Sequence, residues 1–498
     1  MEKVIKKWIK HHFLMEKLDT VLGAFLLVLL SIFVALVVGK LGFLGGGGLL
    51  VVTIGIALVF GAMFNLYLGL YVILVMSILV SYLSKIVNLP YGLSLDLLLV
   101  VLALGVIMKQ LRDRDLSFAK NPISLPIVVW IFYNMIQVLN PIAASRLAWA
   151  FTVRSMALLI LLYFIAAYAL NSYRRVINIY KFMLGLGFVS ALYGLKQEFF
   201  GFADFELVWL YSDPARFQLI FQWSRMRIFS FFSDPTNYGI YMSYMSVMCF
   251  ILILGKFKIW QKVVLAIAGV CMLMAIAYAG SRTPVILVPF GFAVFTMLSL
   301  KKNVIIAMMA VGVLGGAFML KSTGNAVLFR IQSAFMPDRS GDTMGVRFEN
   351  QKKIKPFIQT HPFGAGLGSV GEWGQRFSPD TFLASFPPDS GYVRVAVELG
   401  WVGYLLYCWL LYVIVRMGIR YYLRVKNEQM KIIYLALTTM MFMLILASYV
   451  QEAIVQLPTS IHFYICLAII VRLKDFEAEA DLELNEDKTS EDLAANKK

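Results

Sequence analysis

The composition and hydropathy of the sequence predict an all-α polytopic membrane protein. Of its 498 residues, 60% are hydrophobic and only 15% are charged, and the mean hydropathy is +0.77. A soluble globular protein is about 45–50% apolar and about 25% charged. The apolar residues fall into runs of roughly 17–22 residues, each long enough to cross a bilayer core of about 30 Å as a helix. This pattern excludes a water-soluble globular protein, a disordered protein and a nucleic-acid-binding protein.

Residues 1–20 are predicted to form an amphipathic cytoplasmic segment at the membrane surface. Five apolar side chains share one helical face, and lysines cover most of the remainder. These five residues are Val4, Ile5, Trp8, Ile9 and Phe13. Such a helix lies on anionic lipids with its apolar face inserted, so membrane lipids are predicted partners. A solvated basic segment leading into the first span is the alternative.

About fourteen transmembrane helices are predicted within residues 21–320 and residues 391–473. Lipid offers the backbone no hydrogen-bond partner, so each span is expected to be helical. The predicted spans are 21–39, 48–63, 66–84, 94–108, 124–139, 149–170, 176–195, 236–255, 262–279, 284–300, 303–320, 391–415, 431–450 and 456–473. An even number of spans places both termini on the same side of the membrane.

The charges of the short loops predict that both termini are cytoplasmic. Lys and Arg concentrate in the N-terminal segment and in alternate loops, such as 109–120, 256–262 and 416–426, whereas the opposite loops carry few. Cytoplasmic loops are enriched in Lys and Arg, so these loops are assigned to the cytoplasm. The same orientation places residues 196–235 and 321–390 outside.

Residues 321–390 are predicted to be a large extracytoplasmic loop with ordered structure. Loops longer than about 15 residues are usually functional or disordered, and this one contains aromatic residues, prolines and an amphipathic stretch near 327–336. Residues 474–498 are different, because they are acidic and poor in large apolar residues. This composition predicts a disordered cytoplasmic tail.

Three segments, 225–239, 279–286 and 387–405, place helix starts at the outer face. Unpaired backbone N–H groups and the positive end of the helix dipole suit an anion such as phosphate at these positions. The segments also carry the cations Arg225, Arg227, Arg282 and Arg394. Their convergence predicts a phosphate-binding site. The alternative for each arginine is a snorkelling anchor or the partner of a nearby carboxylate.

Asp389 and Glu398 are the candidate carboxylates near this surface. Asp389 precedes a helix, so it is either a general base or a helix N-cap. Glu398 follows Arg394 by four residues and is predicted to be its buried partner. Arg347, in the large loop, is a further candidate cation, with a solvated helix face as the alternative.

No metal site or cofactor is predicted. The cysteines all fall inside apolar runs, which argues against a disulfide framework. They are Cys249, Cys271, Cys408 and Cys466. The four histidines lack the spacing to cysteine or carboxylate that zinc sites use.

Several motifs resemble the O-antigen ligase and O-antigen polymerase superfamily. HPFGAGLG at 361–368 resembles its P-x-x-G-x-G turn, and ELGWVG at 398–403 resembles its E-x-G-x-x-G helix start. AGSRTP at 279–284 resembles its S-R motif, and RIFSFFSDPTNYG at 227–239 resembles its arginine followed by N-P-N. The resemblance covers roughly residues 140–475.

The resemblance implies a GT-C-type glycosyltransferase in the bacterial cell inner membrane. Members take an undecaprenyl-diphosphate-linked oligosaccharide and pass it to an acceptor glycan, a lipid A core or a protein. It further implies that Arg227, Arg282 and Arg347 hold the diphosphate. Asp389 stands where ligases have the histidine that acts as base, which favours a surface polysaccharide polymerase over a ligase. A polysaccharide flippase and a chain-length regulator are candidate protein partners.

The predicted chemistry is inverting glycosyl transfer with arginines in place of a metal. Arg394 either adds positive charge or orients Asp389. The alternatives are an O-antigen ligase, a cell-wall glycan polymerase of the shape-and-division type, and a non-catalytic transporter of lipid-linked glycan or of a small anion. A transporter is expected to place charges and broken helices at mid-membrane. Here the polar residues concentrate at the outer surface, which favours an enzyme.

Overall fold

The computed structural model of the chain describes residues 21–86, 92–222, 224–320, 324–335, 343–387 and 390–482. The predicted surface segment, residues 1–20, lies outside the described residues, and so does the candidate base Asp389. The described chain is almost entirely helical, as the sequence predicted.

Nine helices precede a short hairpin. They are α1 (Val21–Phe64), α2 (Leu66–Ile86), α3 (Gly92–Asp113), α4 (Ser124–Ile136), α5 (Arg146–Met156), α6 (Leu161–Ala169), α7 (Tyr173–Phe200), α8 (Asp204–Tyr211) and α9 (Pro214–Ile220). Strands β1 (Phe221–Gln222) and β2 (Arg225–Met226) pair antiparallel, with Phe221 opposite Met226. This hairpin is the only sheet in the described part of the chain.

Ten further helices follow the hairpin. They are α10 (Pro235–Ile253), α11 (Ile259–Ala279), α12 (Arg282–Ser299), α13 (Lys302–Leu320), α14 (Ala326–Ser333), α15 (Thr343–Thr360), α16 (Gly371–Phe377), α17 (Gly391–Arg424), α18 (Glu428–Val450) and α19 (Thr459–Arg472). Helices α14, α15 and α16 fall in the predicted large loop, so the described part of that segment is ordered.

Nine stretches of the described residues are long and apolar enough to cross a membrane. They are α2, α3, the α5–α6 stretch Arg146–Ala169, α7, α10, α11, α12, α17 and α18. The predicted count of about fourteen is therefore not confirmed. The apolar stretches of α1, α4 and α13 are shorter, and α19 has 14 residues. Because α19 is buried among other helices, its ends meet protein rather than lipid, and bilayer thickness does not set its length.

The first two predicted spans both lie in α1, which consists of two helices joined at a kink within the predicted break between them. The chain departs from helical geometry only at Gly42, where φ is +59°. Glycine tolerates this backbone conformation because it has no Cβ. The break predicted before residue 66 is confirmed, since Asn65 separates α1 from α2 and its Oδ1 accepts a hydrogen bond from Leu68 N at 3.3 Å.

Helices α10 and α18 form the centre of the bundle. In their apolar windows 83% and 78% of the residues are buried, against 28% for both α3 and α12. Tyr238, Tyr241 and Met245 of α10 are completely buried. The outer helices instead expose large apolar side chains such as Leu97 and Val100. This distribution is the one expected of a bundle whose outer surface meets lipid.

The beginning of the acidic tail is ordered, which corrects the disorder predicted for residues 474–482, whereas residues 483–498 lie outside the described residues. Glu477 Oε1 accepts hydrogen bonds from Lys426 N at 2.7 Å and Asn427 N at 3.1 Å. Glu479 Oε2 accepts one from Tyr173 N at 2.9 Å. These carboxylates supply acceptors to backbone N–H groups at the starts of α18 and α7. Low hydrophobicity did not prevent order here, because the acids bind helix starts.

Candidate functional site

The helix starts that the sequence singled out meet at one end of the bundle. Thr236 Oγ1 in α10 lies 2.9 Å from Ser281 Oγ, the residue before α12. Gln451 Nε2, just after α18, donates to Asn237 Oδ1 in the first turn of α10 at 3.1 Å. The start of α17 packs against the same end of α18, because a Cβ on Gly391 would lie 3.1 Å from the carbonyl oxygen of Ser448.

Local sequence explains why α10 and α12 begin here. Asp234 Oδ1 accepts hydrogen bonds from Thr236 N at 2.8 Å and Asn237 N at 2.9 Å. Pro235 occupies the first helical position, where a missing N–H costs nothing. Gly280 ends α11 in the left-handed conformation, with φ of +60°, which turns the chain directly into α12.

Arg227 is buried and fixed between these helix starts, with 5% of its surface exposed. Its Nε donates to Ala279 O at 2.9 Å, and its Nη1 donates to Leu219 O at 3.1 Å. Its Nη2 donates to Ser281 Oγ. Burial and the charge of Arg330 lower the pKa of Arg227 to about 10, with Asp234 acting in the opposite direction. The predicted cation is therefore held by neutral oxygens.

Arg330 joins Arg227 and Arg282 in what we call the arginine cluster. Its Nη2 donates to Gln222 Oε1 at 2.6 Å, and the same oxygen lies 3.5 Å from Arg227 Nη1. Burial and the charge of Arg282 lower the pKa of Arg330 to about 10. A Cβ on Gly280 would lie 2.6 Å from Arg330 Nη1, so glycine is what allows this approach.

Sequence reasoning missed Arg330. Its only signal was a single cation in the short amphipathic stretch now seen as α14, and nothing in that stretch indicates which way it packs. Asn325 caps α14 by accepting from Val327 N at 2.9 Å. The contact between α14 and the turn at Gly280 is a tertiary contact across about 50 residues of chain, which spacing does not predict.

Arg225 is oriented away from the arginine cluster by its own partners. Its Nη2 donates to Glu198, which balances its charge, and its guanidinium lies 5.7 Å from the ring centre of Tyr278. It therefore behaves as the ion-paired alternative anticipated from the sequence. The carboxylate of Asp234 raises the pKa of Arg227 through its negative charge. Both of its oxygens accept hydrogen bonds at the start of α10, from Thr236 N and Asn237 Nδ2.

Arg394 has a different environment, which we call the carboxylate cluster: Arg394, Glu398 and Glu452. Arg394 Nε donates to Glu398 Oε1 at 3.1 Å, and its Nη1 donates to Glu452 Oε2 at 2.5 Å. The side chain of Glu398 is 1% exposed and that of Glu452 is 13% exposed. The predicted pairing with Glu398 is present. Two carboxylates already offset the guanidinium charge, so this geometry does not support the substrate-binding role predicted for Arg394.

The two motifs of the family signature touch each other where α17 is interrupted. Gly400 has φ of +70° and ψ of −178°. Gly366 N donates to Glu398 O at 2.9 Å, and a Cβ on Gly364 would lie 2.4 Å from Gly400 N. Glycines are needed because the two backbones are in contact. The turn at 361–368 thus holds the part of α17 that carries Glu398.

A groove of about 490 Å³ lies beside Ser390, between α15 and the first turns of α17. Its apolar lining includes Ile354, Val393 and Ala396, and Lys355 also borders it. Ser390 Oγ is buried and has no hydrogen-bond partner among the described residues. This apolar groove therefore borders Ser390, the residue that directly follows the candidate base Asp389 in the sequence.

Arg347 lies half-buried near the start of α15. None of the contacts that define the arginine cluster involves it, so its role as a cation for substrate stays a prediction. Glu452, by contrast, was missed by sequence reasoning, because it lies in a short connection after α18 without a motif. Among the described residues, no group of three or more His, Cys, Asp or Glu side chains is arranged to hold a metal ion.

The fold and these clusters define a multi-pass membrane protein with a cationic site at one end of its helix bundle. Residues 267–408 match the family model described as O-antigen ligase. This match confirms the resemblance to the O-antigen ligase and polymerase superfamily that the motifs predicted. The matched residues include Arg282, Arg330 and Arg394, whereas Arg227 precedes them. No curated protein matches the chain at significant similarity.

Proposed function

We propose that the chain is an inverting membrane glycosyltransferase that uses a polyprenyl-diphosphate-linked oligosaccharide at the outer face of the bacterial cytoplasmic membrane. Surface polysaccharide polymerisation is the specific activity that we favour. The observation that carries the proposal is the arginine cluster at the starts of α10 and α12. Three guanidinium groups lie there. The described partners of Arg227 and Arg330 are neutral oxygens. A diphosphate offsets their mutual repulsion.

The proposed reaction has one substitution at carbon. A hydroxyl oxygen of the acceptor glycan attacks the anomeric carbon of the donor and forms the new glycosidic bond. The bond between that carbon and the diphosphate oxygen breaks, and its electron pair leaves with the diphosphate. The hydroxyl proton passes to a carboxylate, for which we retain Asp389. Atoms and charges balance without a metal or an added oxidant.

The arginine cluster supplies the electrostatic part of this mechanism. Negative charge grows on the leaving diphosphate, and cations that are already fixed stabilise it without reorganising. Arg227 is fixed by hydrogen bonds to Ala279 O and Leu219 O, so little ordering is needed when the donor binds. The groove beside Ser390 offers an apolar surface at the same end of the bundle, as a lipid-linked substrate requires.

The carboxylate cluster has a positioning role in this proposal. Arg394 holds Glu398 and Glu452 in place, and Glu452 follows Gln451, which contacts Asn237 at the start of α10. Arg394 therefore acts on the relative placement of α10, α17 and α18 and does not bind the diphosphate. The candidate base Asp389 lies two residues before Gly391 in the sequence.

The proposal is tested with purified protein, a polyprenyl-diphosphate-linked glycan and an acceptor glycan. Formation of new glycosidic bonds supports an enzyme, whereas translocation of the glycan lipid alone supports the transporter alternative. Arg282→Ala is expected to abolish product formation while the protein still inserts and accumulates. The matched control is Arg146→Ala, since Arg146 is an exposed arginine at the start of α5. Normal product formation by Arg282→Ala contradicts the diphosphate site.

Two substitutions at Asp389 distinguish a base from a helix cap. Asparagine still caps a helix but accepts no proton, whereas alanine does neither. If Asp389 is the base, both variants lose activity equally. If the cap matters more, Asp389→Asn retains more activity than Asp389→Ala. The O-antigen ligase alternative is distinguished by the acceptor: product on a lipid A core supports a ligase, and product on a repeat unit supports a polymerase.

A further inference from the structure

A second large cavity lies at the opposite end of the bundle from the arginine cluster. Its volume is about 780 Å³, and Leu66, Lys109 and Arg175 are among the residues that line it. Helix α2 begins there at Leu66 and ends near Lys85, whose Nζ donates to Ser230 O at 3.1 Å, close to the Arg227 segment. The cavity therefore opens on the face that the charge distribution predicts to be cytoplasmic.

The charged side chains that line this cavity come from different helices, and Lys109 of α3 lies on the same helix as Asp113. Arg175 comes from the first turn of α7 and Arg472 from the last turn of α19. Asp113 and Asp115 come from the end of α3 and the residues directly after it. A ligand that carries both a negative and a positive group matches this arrangement better than a simple anion does.

Both guanidinium groups are held in place, Arg175 by a neutral carbonyl oxygen, whereas Arg472 is also ion-paired with Asp475. Arg175 Nη1 donates to Ala169 O at 3.3 Å, and its guanidinium lies 5.1 Å from the ring centre of Tyr67. Arg472 donates to Leu170 O at 3.2 Å and to Asp475 Oδ2 at 2.7 Å. A guanidinium has five N–H donors, so these contacts leave donors for a phosphate.

The carboxylates are also fixed and keep acceptor capacity. Asp115 Oδ1 accepts from Ser117 N at 2.8 Å, and Asp113 Oδ2 accepts from Tyr168 Oη at 3.3 Å. A carboxylate has about four lone-pair positions, so each side chain still has acceptor positions for a primary ammonium group. A primary ammonium has three N–H donors, whereas a trimethylammonium group has none.

Apolar side chains on the cavity wall indicate that the ligand is a lipid. Phe64 and Leu68 line the cavity and are 38% and 36% exposed. Leu116, next to Asp115, is 57% exposed. A water-soluble metabolite gains nothing from these side chains, whereas acyl chains cover them. Charged groups beside exposed apolar residues are the arrangement expected where a head group meets a membrane surface.

We infer that this cavity binds the head group of a phospholipid that carries a primary amine, such as phosphatidylethanolamine. Its phosphate lies toward Arg175, its ammonium lies toward Asp113 and Asp115, and its acyl chains cover Phe64 and Leu68. This site is independent of the proposed transfer reaction, because it lies at the other end of the bundle.

The experiment uses the full chain in nanodiscs or detergent, with bound lipid counted by native mass spectrometry. Phosphatidylethanolamine, phosphatidylcholine and phosphatidylglycerol with identical acyl chains are compared at equal concentration. The expected result is about tenfold tighter binding of phosphatidylethanolamine than of phosphatidylcholine, and weaker binding of phosphatidylglycerol, whose head group has no amine. Equal retention of the three lipids by the wild-type protein overturns the inference.

Variants separate the two halves of the site. The double variant Asp113→Asn, Asp115→Asn is expected to lose the preference for phosphatidylethanolamine, and asparagine at 115 still caps the turn at Ser117. Arg175→Met is expected to bind all three lipids weakly. The control is Arg174→Ala, an exposed neighbour that does not line the cavity. Unchanged preference in the double variant overturns the inference.

A competition arm distinguishes a lipid from a soluble ligand with the same head group. Phosphoethanolamine and inorganic phosphate are added at millimolar concentration to protein loaded with phosphatidylethanolamine. Retention of the lipid is expected, because neither competitor covers Phe64 and Leu68. Displacement of the lipid by phosphoethanolamine at equal concentration assigns the cavity to a soluble amine phosphate and overturns the lipid inference. Melting temperatures of every variant confirm that the comparisons are made on folded protein.

Discussion

The arginine cluster and the carboxylate cluster lie at the same end of the bundle, and they differ in what balances the guanidinium charge. Arg227 donates to two carbonyl oxygens and a hydroxyl, and Arg330 and Arg282 add further positive charge. Arg394 donates to two carboxylates, which over-compensate its charge. A surplus of fixed positive charge favours an anionic ligand, whereas the ion-paired arginine mainly holds helices together.

The comparison also shows that an arginine's partners matter more than its position on a membrane surface. Arg227 and Arg394 both lie near helix starts that the sequence predicts to face outward, and both are candidate cations on that basis. Only the contacts of the folded protein separate them. Substitution of Arg394 tests the carboxylate cluster, and substitutions of Arg330, Arg282 and Ser281 test the arginine cluster.

Arg394→Met is expected to have the largest effect on stability. It leaves Glu398 and Glu452 without their cation in a largely buried site, at a cost of about 3–5 kcal/mol. Thermal unfolding in detergent measures the loss. The triple variant Arg394→Met, Glu398→Gln, Glu452→Gln is expected to recover most of it, because no unpaired charge remains. A single variant as stable as the wild type contradicts the assignment of a structural ion cluster.

Arg330→Ala is expected to lower turnover by about 10²–10³, the usual effect of removing one group that stabilises charge in a transition state. Its melting temperature is expected to stay close to that of the wild type, because Gln222 Oε1 also faces Arg227. Transfer assays with a lipid-linked donor measure the loss. Arg146→Ala again serves as the control. A change in turnover of less than about threefold for Arg330→Ala shows that Arg330 does not contribute to the transfer reaction.

Inorganic pyrophosphate is expected to stabilise the folded protein by about 2.7 kcal/mol at one hundred times its dissociation constant. Arg282→Ala is expected to lose most of this stabilisation, whereas the triple variant of the carboxylate cluster is expected to keep it. Melting temperatures at low ionic strength measure the effect, because salt screens such interactions. Equal stabilisation of Arg282→Ala and wild type indicates that pyrophosphate binds elsewhere.

Ser281→Ala is expected to have the smallest effect, about 1.5 kcal/mol in transition-state stabilisation, since it removes one hydrogen bond to a charged group. Arg227 keeps its bonds to Ala279 O and Leu219 O, so it stays in place. The ratio of kcat/KM between variant and wild type measures the effect. Ser281→Thr, which keeps a hydroxyl, is expected to retain more activity than Ser281→Ala.

Much of the helical layout follows from the sequence. Long apolar runs predicted where α2, α3, α7, α10, α11, α12, α17 and α18 begin within about three residues, because lipid leaves helical hydrogen bonding as the only option for such runs. The sequence did not predict the short length of α19 or the order at Glu477 and Glu479. Both depend on contacts with distant residues.

Part of the candidate site was also predictable. The motifs around Arg227 and Arg282 mark helix starts, and their convergence followed from the order and direction of the spans. The contribution of Arg330 did not, because α14 carries no signal for the turn at Gly280 that it contacts. The pairing of Arg394 with Glu398 follows helical spacing, but its second partner, Glu452, comes from 58 residues further along the chain.

The sequence by itself determined the membrane class and the places where helices begin, because hydropathy and backbone hydrogen bonding act locally along the chain. Its motifs also showed the resemblance to the O-antigen ligase and polymerase superfamily. Only the tertiary structure decided which guanidinium groups face neutral oxygens and which face carboxylates. Charge balance inside a protein depends on side chains brought together through space, and a linear pattern does not record which ones meet.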